Sequence, residues 1–172
     1  MPPHLLTNRH VGQTATIVGR GPSLLQLTGK DFGPGPVLVL NHAILTIRQL
    51  GLPNPIYSMQ KDGCRVAPQP PETLIRSQAQ SRKCFPGYES SYTFDVVSFG
   101  LPRTCMSLTF AVALSKLMGC SGARLLAFDA YTAQDFRTVV GTELQTIGRG
   151  YLHAAGQAIR HAAKVGLPLE WV

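Results

Sequence analysis

The stretch Ala15-Thr16-Ile17-Val18-Gly19-Arg20-Gly21-Pro22-Ser23-Leu24-Leu25 decides the fold. Its first four residues are a short apolar, β-branched run of the kind that lies inside a sheet. Two glycines then let the backbone turn sharply and approach another group with no Cβ in the way. Pro22 pre-sets the φ of a first helical turn, and Leu24, Leu25 and Leu27 predict a brief helix beyond it. A strand passing through a glycine turn into a helix is the opening unit of many α/β sheets, and exposed amides at such a turn can hold a phosphate. The unit lacks the third glycine of a dinucleotide fingerprint and the Gly-Lys-Ser/Thr of a P-loop. By itself it is equally a tight strand-to-helix turn without a ligand.

Working outward, Val37-Leu38-Val39-Leu40 is a second continuous apolar run, ending at Asn41. Continuous runs mark strands buried on both faces, as in parallel sheets. Residues 43–50 read as a helix stopped by Gly51 and Pro53, and Pro55-Ile56-Tyr57-Ser58-Met59 reads as a strand ending in Gln60-Lys61-Asp62-Gly63. Residues 64–90 are an irregular insertion stiffened by Pro68, Pro70 and Pro71, with one exposed helix expected over 72–80. A strand is expected over 92–99. A nearly all-apolar helix follows from Ser107 to Met118, with Gly119 as its C-cap. Ala123 to Phe128 is a strand ending at Asp129. A loop, a helix over 149–165 closed by Gly166 and Pro168, and a last strand over 169–172 complete the chain.

This alternation predicts a Rossmann-like three-layer α/β sandwich with a mostly parallel sheet of about six strands, in one domain spanning residues 1–172. Ligands of such sheets bind beyond the carboxyl ends of the strands, where the strand order switches. Asn41, the Gln60-Lys61-Asp62 group, and Asp129 with Tyr131 all follow predicted strands, so they gather on one rim with the glycine turn.

The composition of the 172 residues, 44% hydrophobic and 15% charged, excludes a disordered chain or a coiled coil. No apolar run approaches the ~18–20 residues of a membrane-spanning helix. The opening Met-Pro-Pro-His-Leu-Leu lacks the features of a secretory signal. A soluble cytoplasmic protein without membrane contact is expected. Sixteen Lys and Arg against nine Asp and Glu give +7, which favours an anionic partner such as a nucleotide, a phosphosugar or nucleic acid. The basic residues are scattered, as they also are when they serve solubility alone, and no nucleic-acid motif accompanies them. Cys64, Cys84, Cys105 and Cys120 form no C-x-x-C pair and have no His at ligand spacing, so no metal site is expected. Cys105 and Cys120 flank an apolar segment and read as buried small hydrophobes. Paired carboxylates for glycosidase chemistry are missing. Asp129-Ala130-Tyr131 breaks a D-x-D metal motif, and no G-x-S-x-G elbow is present.

Ile17-Val18-Gly19-Arg20-Gly21-Pro22-Ser23-Leu24 resembles the G-x-G-P-S-L opening of the bacterial CMP-sialic acid sialyltransferases. It is similar also to the opening of motility-associated flagellin glycosyltransferases and of archaeal hydroxymethyl-dihydropterin pyrophosphokinases. Val37 to Asn41 resembles the sialyltransferases' second strand, whose terminal Asn binds the nucleotide. Met106-Ser107, the apolar helix to Gly119, and Leu125-Leu126-Ala127-Phe128-Asp129-Ala130-Tyr131 resemble their Thr-Ser helix and G-x-D-x-Y strand end. The resemblance implies that Gly19, Arg20, Gly21, Pro22 and Ser23 form the donor-binding turn, with Gly19, Gly21 and Ser23 near phosphate and ribose. It implies further that Asn41 contacts the nucleotide, that Ser107 bonds donor phosphate or carboxylate, that Asp129 anchors the strand end, and that Tyr131 bonds the departing phosphate.

The family's general base is a His just before the last helix, and the nearest candidate is His153, whose imidazole titrates near neutral pH. His153, Gln157, Arg160 and Lys164 also recur at the spacing of a solvated helix face. His42 and His161 are lesser candidates. Four positions depart from the family: Arg20 replaces Asn, Met106 replaces Thr, and Leu108 and Ala127 each replace Gly. The segment between Asp129 and the last helix is shorter than the family's lid.

The activity implied is binding of a nucleotide-activated sugar, CMP-sugar favoured, and transfer to a hydroxyl acceptor with no cofactor required. Two alternatives stay open. One is a pyrophosphokinase or other phosphoryl transferase needing Mg²⁺, for which Asp62 and Asp129 are the only strand-end acids. The other is a non-catalytic nucleotide-binding module.

Overall fold

Seven stretches pair into one sheet in which every neighbouring pair is parallel. They are β1 (Thr14–Val18), β2 (Val37–Leu40), β3 (Ile56–Gln60), β4 (Thr73–Ser77), β5 (Tyr92–Phe94), β6 (Gly122–Leu126) and, after the hairpin β7 (Arg137–Val140) and β8 (Glu143–Thr146), β9 (Leu169–Trp171). The structure, a computed structural model, describes residues 3–60, 72–77, 92–129, 137–140, 143–146 and 151–172. The strand order is β5-β4-β3-β2-β1-β6-β9. The chain therefore starts in mid-sheet, steps outward from β1 to β5, then returns to place β6 on the other side of β1. The strand order reverses at the β1–β6 boundary, with Ile17 beside Leu125 and Val18 beside Leu126.

The apolar strands feed two cores because successive side chains point to opposite faces. Val18, Val37, Val39 and Ile56 join Leu24, Ala43, Ile44 and Ile47 on one face, under the short helix α1 (Ile44–Ile47) and the 3-10 turns around it. Ala15, Ile17, Leu38, Leu40, Tyr57, Met59 and Leu125 point to the other face. There they meet α2 (Ser107–Leu117) and α3 (Tyr151–Val165). α2 is apolar nearly all round because it lies between the sheet and α3. Ala154, Ala158 and Ala162, one per turn of α3, are buried in the shared core, and their small size lets the two helices approach closely. Gly119, at φ 79°, ends α2 as expected of a C-cap glycine. The N-terminal segment covers that end, with the Asn8 and His10 amides donating to Leu117 and Met118 carbonyls at 2.9 and 2.8 Å. The His10 ring stands edge-on to Tyr57, whose hydroxyl donates to its Nε2 at 2.7 Å. Burial lowers the His10 pKa.

The α/β class and the parallel sheet agree with the sequence reading, with seven strands where about six were expected. The exposed helix expected over 72–80 is instead strand β4 at 73–77. Thr73-Leu74-Ile75 supplies a β-branched apolar run, and both Leu74 and Ile75 are fully buried. Glu72, whose charge suggested exposure, is itself buried and pairs with Arg48 Nε at 2.6 Å. The strand expected over 92–99 stops at Phe94, because Asp95 Oδ1 accepts from the Val97 amide at 3.0 Å and opens a 3-10 turn that closes at Gly100, φ 68°. The loop expected after Asp129 contains the antiparallel hairpin of β7 and β8. Cys105 and Cys120 are buried, and burial raises the Cys120 thiol to about 11. Cys64, Cys84 and most of the insertion expected at 64–90 lie outside the described residues. Among the described residues no helix is long and apolar enough to cross a membrane.

Candidate functional site

Topology alone sets most of the candidate residues at one end of the sheet. β1, β2, β3 and β6 run the same way, so Gly19, Asn41, Gln60 and Ala127 share the rim at their carboxyl ends. α2 and α3 each lead into a parallel strand, so their first turns, carrying Ser107 and His153, begin at that same rim. The backbone of β7 packs beside the 3-10 turns at 22–26 and 41–43, which lays the hairpin over the ends of β1 and β2. Tyr131, Lys61 and Asp62 lie outside the described residues.

The glycine turn is stitched to the end of β6. Gly19 donates its amide to Leu126 O at 2.8 Å, and Gly21 donates to Ala127 O at 2.7 Å. Ser23 donates twice to one carboxylate, from its amide to Asp129 Oδ2 at 3.1 Å and from Oγ to Oδ1 at 2.7 Å. Pro22 is the first residue of the following 3-10 turn, as its fixed φ favours. Both glycines are required by this close approach. A Cβ on Gly19 would overlap Ala127 O and touch the Phe128 ring at 3.0 Å. One on Gly21 would overlap the Asp129 carboxylate, 2.7 Å from Cγ. Asp129 thus ties the end of β6 to the glycine turn, and the protein itself meets the amides of Gly19, Gly21 and Ser23.

Two non-glycine residues on this rim adopt left-handed backbone conformations, Asn41 with φ 51° and Ala127 with φ 58°. Asn tolerates that region better than most residues, whereas for Ala it is strained. Asn41 follows the last β2–β3 pair, Leu40 beside Met59, and its turned carbonyl accepts from Gln60 Nε2 at 3.2 Å. The same Nε2 donates to Ser58 Oγ at 2.7 Å, and the Asn41 carbonyl accepts also from the Ile44 amide. Gln60 and Ser58 are both buried, and Gln60 Oε1 has no hydrogen-bond partner among the described residues. Between the ends of β1 and β2, Arg20 Nη1 lies 3.3 Å from His42 Nδ1. Guanidinium only donates, so Nδ1 accepts and the neutral imidazole carries its proton on Nε2.

Ser107 opens α2 half-buried. The N-cap position is Met106 with extended backbone, whose side chain makes no capping hydrogen bond. No acidic residue lies in the first turn, so the positive end of the helix dipole faces the rim uncompensated by its own sequence. His153 is exposed, and its Nε2 sits 2.8 Å from Gln157 Nε2. His161, further along α3, has its pKa lowered by burial and by Lys164. Among the described residues no three His, Cys, Asp or Glu side chains gather into a group that could hold a metal ion. A groove of about 300 Å³ lined by Ile159, Leu167, Leu169 and Trp171 runs along the outer strand β9 and contains none of the rim residues.

The structure therefore brings the glycine turn, Asn41, Ser107, Asp129 and the start of α3 to one end of the sheet. Sequence reading placed Gln60 and His42 on this rim without their roles. The hairpin went unread, although Thr138-Val139-Val140-Gly141 carries a β-branched signal before a glycine. The chain matches no family model, no curated protein and no solved structure.

Proposed function

We propose that the crevice at the β1–β6 boundary binds a nucleotide-linked sugar, with a cytidine nucleotide as its preferred handle, and transfers the sugar to a hydroxyl acceptor. The observation that carries this reading is that the glycine turn, the left-handed Asn41 and the start of α2 at Ser107 share one rim of the sheet, the rim on which the strand order switches. Asn41 contacts the nucleotide, and the N-terminus of α2 with Ser107 faces the donor's anionic groups. In the reaction a base, assigned to His153, removes the acceptor's hydroxyl proton. The acceptor oxygen bonds to the sugar's anomeric carbon as the bond from that carbon to the phosphate oxygen breaks, and CMP leaves with the electron pair. Tyr131 bonds the departing phosphate, as the resemblance to sialyltransferases suggests. The net charge of +7 suits an anionic donor.

Thermal-shift titration with CMP, UDP, ADP, NAD and sugar nucleotides tests the binding half. The largest shift is expected from a cytidine nucleotide, because a ligand at ~100 times its dissociation constant adds about 2.7 kcal/mol. Asn41→Gly is the variant to use, since it deletes the amide while keeping φ near 51° without strain. It abolishes most of the CMP shift, and Ser107→Ala reduces it. Release of CMP from a CMP-sugar in the presence of EDTA tests the chemistry. A response to NAD alone overturns the donor, activity lost with EDTA favours the Mg²⁺-dependent phosphoryl transferase, and binding without turnover favours a non-catalytic module.

A further inference from the structure

We propose that the outer edge of the sheet, strand β9 with the groove beside it, docks a second copy of this chain across a two-fold axis. The inference stands apart from the nucleotide reading and uses none of the rim residues. Three of the seven large hydrophobics exposed among the described residues, Ile159, Trp171 and Val172, lie here. Ile159 and Trp171 line the groove of about 300 Å³ together with Ala163, Leu167 and Leu169, and no charged side chain lines it. Beside it runs an open backbone edge, since among the described residues β9 pairs with β6 alone. Ala123 donates its amide to Pro168 O at 2.9 Å, and Val172 donates to Leu125 O at 3.2 Å, so the even-numbered residues direct their peptide groups at β6. The N–H and C=O of Leu169 and Trp171 therefore point outward, as alternation along a strand requires.

A second copy is the occupant because this edge is complementary to itself. Antiparallel pairing centred on Glu170 sets Leu169 opposite the second copy's Trp171, and Trp171 opposite its Leu169. Both are hydrogen-bonded pairs, so the outward groups of the two copies satisfy one another. Glu170 meets its counterpart on the opposite face of the sheet, where Arg124 Nε lies 3.3 Å from Glu170 Oε2. Each facing carboxylate thus arrives with its own guanidinium, and the row across the axis runs positive, negative, negative, positive with no net charge. On the groove face the same axis brings Ile159 and Ala163 of α3 toward α3 of the second copy. The small Ala163 leaves room for two helices to pack about 8–10 Å apart. Ile159, 49% exposed in one copy, then enters the groove of the other. The patch is smaller than the ~20–30 residues a side of a standard interface, which makes this a dissociating dimer in the micromolar range.

The experiment is sedimentation velocity of the chain across about 1–300 μM, the range in which an interface below standard size dissociates. A monomer–dimer equilibrium is expected. Ile159→Arg and Trp171→Lys each place a charge in the shared groove and should raise the dissociation constant by about ten-fold or more. Glu170→Lys turns the row across the axis into four positive charges and should do the same, whereas Glu170→Gln leaves the dimer unchanged or tighter. Glu170→Cys reads the register directly. Facing residues of a non-hydrogen-bonded antiparallel pair have Cα atoms about 4.5 Å apart, within disulfide reach, so mild oxidation by diamide should cross-link this variant faster than the wild-type chain. A chain that is monomeric throughout, or a dimer that none of Ile159→Arg, Trp171→Lys and Glu170→Lys weakens, overturns the proposal. Cross-linking of Glu170→Cys no faster than that of wild type overturns it also. If the groove variants do not fold, as judged by their circular dichroism melts, Glu170→Lys and Glu170→Cys decide, because Glu170 is exposed in the single chain.

Discussion

Gly21→Ala is the sharpest probe of how the rim is held. Gly21 has φ −65° and ψ 163°, an extended conformation open to any residue, so nothing in the backbone requires glycine. Space does. The added Cβ would overlap the Asp129 carboxylate, 2.7 Å from its Cγ, and lie 2.9 Å from the Ala127 carbonyl oxygen. Asp129 has to move aside and lose its bonds to Ser23 N and Oγ. Hydrogen bonds to a charged acceptor contribute about 1.5–3 kcal/mol each when buried, and this pair is half-buried, so a loss of about 2–4 kcal/mol is expected. For a domain of this size that lowers Tm by roughly 4–16 °C. Asp129→Ala removes the same two bonds. The two substitutions should therefore not add, and a double-mutant cycle from urea unfolding followed by circular dichroism should return a coupling of at least about 1 kcal/mol. Gly33→Ala, with nothing within 4 Å of its Cβ, serves as the control and should stay within about 0.5 kcal/mol of wild type. A Gly21→Ala protein as stable as wild type, or additive losses in the cycle, would refute the reasoning.

Three further outcomes are expected. Ala127→Gly relieves a left-handed Ala, which costs about 1–2 kcal/mol, against a smaller backbone-entropy loss, so urea unfolding should show a gain of about 0.5–1 kcal/mol. Gln60→Leu strands the buried Ser58 hydroxyl and removes one bond to the Asn41 carbonyl, which keeps the Ile44 amide; it should destabilise by about 1–3 kcal/mol in the same assay, and a neutral result would mean that the amide holds nothing. His10 has its pKa lowered below 6.5 by burial, so the unfolded chain takes up its proton at a higher pH than the folded protein does. Its contribution is present above about pH 6.5 and lost as pH falls through the window below it. Tm measured from pH 8 to pH 5 should therefore fall less steeply in His10→Asn than in wild type.

The strands closest to the middle of the sheet were the easiest to read. Val37-Leu38-Val39-Leu40 is apolar without interruption, and Ala123 to Phe128 is broken only by Arg124, because both faces are covered, and that pattern needs no knowledge of partners. β4 was misread because Glu72 and Arg76 look like a solvated helix face, and the burial of Glu72 depends on Arg48, 24 residues earlier. The site divides in the same way. Asn41 and Ser107 announce themselves by following or preceding an apolar run. The engagement of the amides of Gly19, Gly21 and Ser23 depends on Leu126, Ala127 and Asp129, more than a hundred positions along the chain, and no local pattern encodes it.

The placement of β1 in mid-sheet has a consequence for biogenesis. Its register with β2 forms early, Thr16 beside Val37, whereas its register with β6, Thr14 beside Gly122, waits until most of the chain has left the ribosome. Loop closure over so long a span is slow compared with local pairing. Until it happens, one edge of the oldest strand, with Ala15 and Ile17 along it, offers unpaired amides and carbonyls to any passing β-prone segment. A nascent chain that ends before residue 122 thus exposes this edge of a half-formed sheet.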